Sequence, residues 1–475
     1  MAGAFGVVSK VAGKEGVLDL FYGTDYHSHL GTKFGGMAIS SDGKIHRKIH
    51  DLSSGTFRGK FEDFVSEVKG NKGIGVISDY EEQPMVIESH LGKYYLVHVG
   101  KVNNLEKIAH DFKRRGGHFS EVTAEGPNPV EVIAGLINQG RNFLHGLEIA
   151  QNSIEGSSSL LLLTGEGIYV SRDKLGRTPL VLGKKGNAWA VASESCAFPA
   201  LKFMTEKYIG AGEIGFLDDS GYHQLKKPEE NMQICAFLWV YYGFPASNYE
   251  GKNVEMVRND CGRAQARIDR AEGLEIDFVA GIPDSGTGHA IGYANEMGVS
   301  YGRPYVKYTP TWPRSFMPQD QKMRDLVARM KLIPIPELID GKRILFCEDS
   351  IVRGTQLRDT VKGLFRKYHA EKIHMRPSCP PLFYGCKFLN FSRSRNDFDL
   401  AARRAVRTLG GENARAEDYS VEGTSNFNAV VREVERDLGF TSLRYQKLPD
   451  LVSAIGLPKE KLCTYCWDGC TGCGK

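Results

Sequence analysis

The chain has 475 residues, 41% of them hydrophobic and 25% charged, which are the proportions of a folded globular protein of two or three domains. A net charge of only +4, without a block of Lys and Arg, predicts no nucleic-acid partner. No apolar run approaches the roughly 18 residues of a membrane span, and no signal-peptide core is visible, so we expect a cytoplasmic protein with no membrane partner.

The first part of the chain, to about residue 230, alternates short apolar runs with Gly-rich turns. The clearest strand candidates are Gly35 to Ser40, Tyr94 to Val99 and Ser158 to Leu163. A helical pattern covers approximately Val130 to Asn142. We therefore predict an α+β domain with packed sheets.

From about residue 250, apolar strands, loops and helices follow one another in a repeating order. The predicted elements are a strand at Glu275–Ala280, a loop at Gly281–Gly286, a helix from Thr287, a strand at Arg343–Cys347, a loop at Glu348–Thr355, a helix to about Tyr368 and a strand at Lys372–Met375. This alternation predicts βαβ units on a parallel sheet. Ligands of such sheets bind at the carboxyl ends of the strands, where these loops lie.

The most informative stretch is the strand at Arg343–Cys347 and the loop that follows it. Two adjacent carboxylates, Glu348 and Asp349, come directly after the strand, and Gly354 and Thr355 lead into a helix. Backbone N–H groups at a helix start bind phosphate, whereas carboxylates accept hydrogen bonds from sugar hydroxyls. An acidic N-cap on an ordinary loop is the simpler alternative for an isolated Asp-Ser pair.

The complete run resembles the phosphoribosylpyrophosphate (PRPP) signature of type I phosphoribosyltransferases, and its Ser-Ile-Val-Arg-Gly-Thr part is typical of the glutamine PRPP amidotransferase family. The resemblance implies that Glu348 and Asp349 hold the ribose hydroxyls, with Mg²⁺ close to them. It also implies that the 5′-phosphate is bound by Ser350, Ile351, Val352, Arg353, Gly354 and Thr355. Glu348 stands where the family usually has Asp.

Further segments extend the resemblance around PRPP. Asp284 and Ser285 fall in a loop similar to the family's pyrophosphate-side loop. Four basic residues match its mobile loop, which closes over PRPP and excludes water: Lys307, Arg314, Arg329 and Lys331. The run at 308–313 departs from the family pattern, which points to altered loop closure or choice of nucleophile.

The cysteine distribution suggests a metal centre, because disulfides are disfavoured in a reducing compartment. By resemblance to the iron–sulfur subgroup of the family, the ligands of a [4Fe–4S] cluster are Cys235, Cys386, Cys463 and Cys466. A rival interpretation uses the tail alone, where Cys463, Cys466, Cys470 and Cys473 could form a local Zn or Fe–S site. The spacer between its two Cys-x2-Cys pairs is shorter than in a zinc ribbon. A chain without metal is the third possibility, and the role of Cys470 and Cys473 stays open.

The N-terminal part resembles the glutaminase domain of the same family, chiefly at Arg172–Gly183 and Ala192–Ser195. The resemblance implies a four-layer αββα sandwich of the N-terminal-nucleophile type, followed by an α/β type I phosphoribosyltransferase domain with a parallel sheet. We expect the glutaminase-like domain at residues 1–230, the transferase domain at 231–455 and a Cys-rich tail at 456–475.

The positions that carry the family's glutaminase chemistry differ in this chain. Ala2 replaces the nucleophilic cysteine, and Val99 replaces the Asn that donates a hydrogen bond to the oxyanion. Ser78 replaces the Arg that holds the glutamine carboxylate, and Pro129 replaces the Asp that binds the glutamine amine. Loss of one oxyanion donor alone costs about 10²–10³ in rate. The sequence therefore predicts a domain without glutaminase activity.

The resemblance implies a reaction that joins an amine nitrogen to C1 of PRPP and releases pyrophosphate, the first step of purine biosynthesis. With no glutaminase of its own, the chain would use ammonia or another, unidentified amine. The alternative is a non-catalytic homologue that senses PRPP or redox state. A homo-oligomer is expected.

Overall fold

The computed structural model describes residues 2–41, 43–123, 126–307, 332–389 and 399–470. In these ranges, no helix combines the length and the apolar character needed to cross a bilayer.

The first half contains two antiparallel sheets with helices on their outer faces. The strands are β1 Ala2–Gly13, β2 Phe34–Ser41, β3 Lys44–Asp51, β4 Gly70–Ser78, β5 Met85–Ser89, β6 Gly92–Val102, β7 Val122–Thr123, β8 Gly126–Pro127, β9 Gly156–Leu163, β10 Ile168–Ser171, β11 Val181–Lys185, β12 Ala188–Ala192, β13 Met204–Tyr208, β14 Ile214–Leu217 and β15 Tyr222–Lys226. The helices are α1 Lys14–Asp25, α2 Phe57–Glu67, α3 Leu105–Arg114, α4 Pro129–Ile137, α5 Phe143–Ser153 and α6 Ala197–Leu201.

The two sheets pack face to face and form the centre of a four-layer sandwich. The first has the order β13-β11-β12-β1-β4-β2-β3, and the second has the order β15-β14-β10-β9-β6-β5. Alternate apolar side chains of both sheets fill the space between them, whereas α1 and α2 cover the first sheet and α3, α4 and α5 cover the second. The predicted αββα sandwich is confirmed.

Helix α1 approaches the first sheet closely because glycines line their contact. A Cβ atom at Gly75 of β4 would lie 2.0 Å from Thr24 Oγ1, and one at Gly23 of α1 would lie 2.4 Å from Phe5. These positions therefore have no room for a side chain. The contact holds the start of β1, and with it Ala2, at a fixed place in the sheet.

The second half is an α/β domain. Its strands are β16 Ile234–Cys235, β17 Asn248–Tyr249, β18 Lys252–Asn253, β19 Phe278–Gly281, β20 Ser300–Tyr301, β21 Tyr305–Lys307, β22 Leu332–Pro334, β23 Arg343–Glu348, β24 Lys372–Pro377, β25 Ser442–Leu443 and β26 Leu462–Cys463. Its α-helices are α7 Val254–Ala271, α8 Thr287–Met297, α9 Thr355–Arg366, α10 Ala401–Gly410, α11 Ser425–Leu438, α12 Leu448–Ile455 and α13 Tyr465–Asp468. A single π-helical turn covers Leu238–Tyr242, and 3-10 turns cover Pro336–Leu338, Ala416–Asp418 and Lys459–Lys461.

The main sheet of this half has the order β20-β19-β23-β24-β25, and all its strands are parallel. One face packs on α7 and α8, and the other face packs on α9, α10 and α11. The predicted parallel sheet is confirmed, although β19 begins at Phe278 rather than at Glu275. The register pairs Gly281 with Cys347 and Glu348 with Pro377, so the loops after β19 and β23 leave the sheet at one edge.

Candidate functional site

The carboxyl ends of β19, β23 and β24 bring together the loops that the sequence singled out. Ile282 N donates to Cys347 O at 3.0 Å, and Ser378 N donates to Glu348 O at 2.9 Å. Ser285 Oγ donates to Glu348 Oε1 at 3.3 Å. The structure therefore places the two loops expected to contact ribose and pyrophosphate in direct contact.

Two carboxylates lie side by side at this edge. Asp349 N donates to Glu348 Oε1 at 3.1 Å, and Ser350 Oγ donates to Asp349 Oδ1 at 2.5 Å. Burial, and then the negative charge of Asp349, raise the pKa of Glu348 well above its ordinary value. Within the described ranges, no Lys or Arg forms an ion pair with either side chain. A cation or a set of hydroxyl donors would therefore be bound favourably here.

The loop from Ser350 to Gly354 is held at both of its sides. Ile351 is buried in the core, Ala401 N donates to Val352 O at 2.8 Å, and the Arg353 guanidinium lies 3.7 Å from Asp399. Gly354 has a φ of +71° and is the N-cap of α9, without a side-chain cap. Asp349 is thus not the cap of this helix, and the acidic N-cap interpretation is wrong.

The basic residues expected in the loop over PRPP are only partly described. Lys307, at the end of β21, forms an ion pair with Asp284. Arg314, Arg329 and Lys331 lie outside the described residues, as does the divergent run at 308–313. Strand β22 resumes at Leu332 and pairs with β21, so the two ends of this segment are adjacent.

The four cysteines expected to bind a cluster line one pocket, although the chain brings them from distant places. Cys235 of β16 pairs with Cys463 of β26 in a two-stranded parallel sheet. Cys466 follows on α13, and its carbonyl accepts from Phe383 N and Tyr384 N, three and two residues before Cys386. The walls of the pocket are Arg177, Cys235, Phe237, Cys386, Phe388, Leu389, Cys463, Tyr465, Cys466 and Trp467.

The four sulfur atoms influence one another. Burial, followed by the nearby Cys463 and Cys386, raises the pKa of the Cys235 thiol, and a hydrogen bond with Cys386 together with burial raises that of Cys466. Even so, no three His, Cys, Asp or Glu side chains among the described residues converge on a point that suits a single metal ion. A single zinc ion needs four ligands at about 2.0–2.3 Å from one point, whereas a [4Fe–4S] cluster takes four thiolates on four separate irons. The four cysteines that line the pocket match the number of thiolates that a cluster requires.

In the described part of the chain, no other tail cysteine joins Cys463 and Cys466 in the pocket. Cys470 is disulfide-bonded, and Cys473 lies outside the described residues. Cys235 and Cys386, in contrast, share the pocket with the first tail pair. This geometry favours Cys235, Cys386, Cys463 and Cys466 as the ligand set over a set drawn from the tail alone.

The positions that replace the family's nucleophile and oxyanion donor lie in apolar packing. Ala2 and Val99 belong to the same hydrophobic cluster between the two sheets, and both are buried. A methyl group cannot attack a carbonyl, and an isopropyl group donates no hydrogen bond to an oxyanion. These two residues can pack but cannot perform glutamine hydrolysis.

The two positions expected to anchor glutamine are also occupied by unsuitable groups. Ser78 pairs with Ala2 across β1 and β4, but its hydroxyl accepts from the backbone N–H of Tyr80 and Glu81 and donates to the Glu81 carboxylate at 3.2 Å. Pro129 is the first residue of α4, and it has neither an N–H group nor a polar side chain. A carboxylate next to Ser78 would repel the α-carboxylate of an amino acid.

A buried carboxylate that joins the two halves is not evident from the sequence. Glu194 accepts from Tyr249 Oη, from Ser247 Oγ at 2.9 Å and from Phe244 N at 3.3 Å, and His29 Nε2 lies 3.0 Å from it. Burial alone would raise the pKa of Glu194, but His29 and these donors lower it to about 2. These contacts are long-range, so no local sequence pattern could have revealed them.

We expect Glu194→Gln to lower the free energy of unfolding by about 2 kcal/mol at pH 7, because hydrogen bonds to a charged acceptor are worth about 1.5–3 kcal/mol. A depressed folded-state pKa stabilises the fold above the ordinary value of 4.5, and the stabilisation is lost as the pH falls towards 2. Urea unfolding at pH 7 and at pH 3 should therefore show a smaller difference between the two proteins at pH 3. Glu206→Gln, at an exposed strand position, is the control. A difference that does not change with pH would contradict this role.

Comparisons with known proteins agree with this architecture. The glutamine amidotransferase domain family matches residues 73–200. An amidophosphoribosyltransferase of Methanothermobacter thermautotrophicus is 31% identical over 418 residues, which cover 85% of this chain and 81% of the relative. An amidophosphoribosyltransferase of Bacillus subtilis is 28% identical over 449 residues, with 92% and 86% covered.

Solved structures show the same overall similarity. The glutamine PRPP amidotransferase of B. subtilis, determined in complex with ADP and GMP, superposes with a TM-score of 0.81 at 27% identity, and the match covers 98% of this chain and 96% of the other. A structure described as the allosteric regulatory enzyme of purine biosynthesis has a TM-score of 0.80 at 26% identity, covering 98% and 95%.

Proposed function

The chain belongs to the amidophosphoribosyltransferase family, and on this basis we propose that it transfers the nitrogen of ammonia or another amine to PRPP in purine biosynthesis without hydrolysing glutamine itself. In this reaction the nitrogen lone pair forms a bond to C1 of the ribose. The bond from C1 to the pyrophosphate oxygen breaks, and the leaving pyrophosphate keeps its electron pair. The nitrogen then loses a proton, which gives phosphoribosylamine.

The PRPP half of the proposal is supported by the arrangement at the end of β23. Asp349 and Glu348 offer acceptors to the ribose hydroxyls, and the start of α9, after Gly354, offers backbone N–H groups to the 5′-phosphate. Burial, and then the negative charge of Asp349, raise the pKa of Glu348, and a cation bound beside the two carboxylates would offset both effects. Mg²⁺ is bound by oxygen ligands of this kind, so we place it next to Glu348 and Asp349, where it would neutralise the leaving pyrophosphate.

The absence of glutaminase activity is supported by one observation above all. Ala2 and Val99, at the positions of nucleophile and oxyanion donor, are packed in a single apolar cluster. A substituted nucleophile alone would be compatible with a site that still binds glutamine. The additional loss of the anchors at Ser78 and Pro129 removes that possibility, so the nitrogen must come from outside this domain.

We expect no glutamate release from glutamine by the wild-type protein, and none by Ala2→Cys, because a restored thiol still lacks the oxyanion donor and both substrate anchors. Glutamate formation is measured by a coupled dehydrogenase assay. Intact mass spectrometry first establishes that Met1 has been removed, so that the introduced cysteine is N-terminal. Turnover by either protein would contradict the proposal.

We also assign a [4Fe–4S] cluster to Cys235, Cys386, Cys463 and Cys466, which line one pocket. When bound, such a cluster would tie the segment after β24 and the C-terminal tail to β16, the first strand of the second half, and it would make the protein sensitive to oxygen. Phe237, Phe388 and Trp467 line the same pocket and would give the cluster an apolar surrounding.

A further inference from the structure

One residue of the cysteine pocket comes from the glutaminase-like domain. Arg177, between β10 and β11, is only 3% exposed, and its guanidinium carbon lies 3.7 Å from the centroid of the Phe388 ring. The same loop is bonded to the strand that carries the first cysteine: Gln233 N donates to Leu175 O at 2.6 Å, and Cys235 N donates to Arg177 O at 3.4 Å. These hydrogen bonds hold the backbone of the loop that carries Arg177 against the strand that carries Cys235.

The side chain of Arg177 is poorly satisfied. It donates from Nη2 to Gln233 Oε1 at 3.2 Å and forms a hydrogen bond with the Cys463 side chain, whereas its Nε has no hydrogen-bond partner. No carboxylate in the described part of the chain forms an ion pair with it. A guanidinium is always charged, so burial without an anion is strongly unfavourable.

Among the described residues, the other arginines buried to the same degree are satisfied. Arg172, in the same loop, pairs with Glu250 at 2.7 Å and donates to three backbone carbonyl groups. Arg376 pairs with Asp269 at 2.7 Å, and Arg258 donates to three carbonyl oxygens at 2.9–3.0 Å. Arg177 thus differs from the other described buried arginines, and its unpaired charge lies at a pocket lined by four thiols.

We propose that Arg177 is the counter-cation of the thiolate cluster, so that the glutaminase-like domain, although without its own chemistry, completes the cluster site of the transferase half. This inference rests on the proposed [4Fe–4S] cluster. Four thiolate ligands give such a centre a net negative charge, which a buried guanidinium offsets. Arg177 is a positioning residue: it neither ligates iron nor contacts PRPP.

The proposal predicts a change in the reduction potential of the cluster. One-electron reduction adds a negative charge, and a nearby cation stabilises the reduced form. Replacement of Arg177 by Gln should therefore lower the equilibrium constant for reduction about tenfold, which is about 59 mV for a one-electron couple. Arg177→Lys, which keeps the charge, should recover most of this difference.

The test is an anaerobic redox titration with a chemical reductant, followed by electron paramagnetic resonance, on proteins of known iron and sulfide content. Lys387→Gln is the matched control: Lys387 is exposed and lies 5.5 Å from the Phe388 ring centroid, so the same charge is removed from outside the pocket. The reduction potential of the cluster in Lys387→Gln should change by less than about a third of the change in Arg177→Gln. A fully loaded Arg177→Gln protein with unchanged potential, or an equal shift in Arg177→Lys, would overturn the role of Arg177.

Two further outcomes are distinguishable. Wild-type protein without iron and sulfide would overturn the proposed cluster itself, independently of Arg177. If Arg177→Gln does not load iron, the metal-free forms of wild type and variant are compared by thermal melting. Because the metal-free wild type keeps an unpaired buried cation, the variant should melt at the same or a higher temperature. A lower melting temperature would mean that Arg177 serves packing alone, and would overturn the inference.

Discussion

Asp349→Asn is expected to weaken binding of Mg-PRPP by about 10- to 100-fold and to remove most PRPP-dependent activity. A hydrogen bond to a charged acceptor is worth about 1.5–3 kcal/mol, and each 1.4 kcal/mol corresponds to about tenfold in affinity. Asp349 also holds the Ser350 hydroxyl, at the first position of the phosphate loop. The variant should also bind Mg²⁺ less tightly, because one of two adjacent anionic oxygen ligands is replaced by a neutral amide.

Calorimetric titration of Mg-PRPP into wild type and Asp349→Asn measures this effect. Asp359→Asn is the control, because Asp359 is exposed on α9 and the same change is made one helical turn into the helix that follows the loop. The control should bind as the wild type does, and all three proteins should melt at similar temperatures. Equal affinities for wild type and Asp349→Asn would show that this carboxylate does not bind the substrate.

Cys386→Ser is expected to abolish the iron–sulfur cluster. The wild type, purified without oxygen, should be brown and should lose its colour in air. A hydroxyl is a poor ligand for iron compared with a thiolate, and Cys386 comes from a segment that no other proposed ligand can replace. Because binding of the cluster is coupled to folding of the pocket, the variant should also melt at a lower temperature.

Iron and sulfide analysis of a set of variants distinguishes the two possible ligand sets. Cys261→Ser is the matched control, since Cys261 on α7 is fully buried but does not line the pocket, and it should retain the cluster. Cys470→Ser should also retain it. A full cluster in Cys386→Ser combined with its loss in Cys470→Ser would show that the tail alone forms the site.

The parts of the fold that local patterns determine could be predicted from the sequence. The apolar run at Arg343–Cys347 followed by two carboxylates is a strand with a loop at its carboxyl end, and the structure has β23 there. The helical pattern at Val130–Asn142 predicts the helix boundaries less accurately, because α4 ends at Ile137 and α5 begins only at Phe143. Asn142 caps the second helix by accepting from His145 N at 2.9 Å, which sets a boundary that periodicity does not show.

The contacts between distant segments could not be derived from local patterns. The family resemblance implies the grouping of Cys235 and Cys386 with the tail cysteines, whereas the spacing of the cysteines alone also allows a site in the tail. The parallel pairing of β16 with β26 is what brings the first of these cysteines to Cys463. Arg177 falls within the Arg172–Gly183 run of the family resemblance, but nothing in its neighbourhood along the chain indicates that its guanidinium lies against Phe388.

Release of pyrophosphate from Mg-PRPP, measured with ammonium chloride, with glutamine and with a panel of amines, tests the central claim most directly. We expect turnover with ammonia or with one of the amines, and no turnover above background with glutamine. Glutamine-dependent release of pyrophosphate by the protein alone would contradict the claim that its glutaminase-like domain is inactive. If PRPP binds but no nitrogen donor supports release, the chain is a PRPP-binding regulator rather than a transferase, and the proposed reaction is wrong.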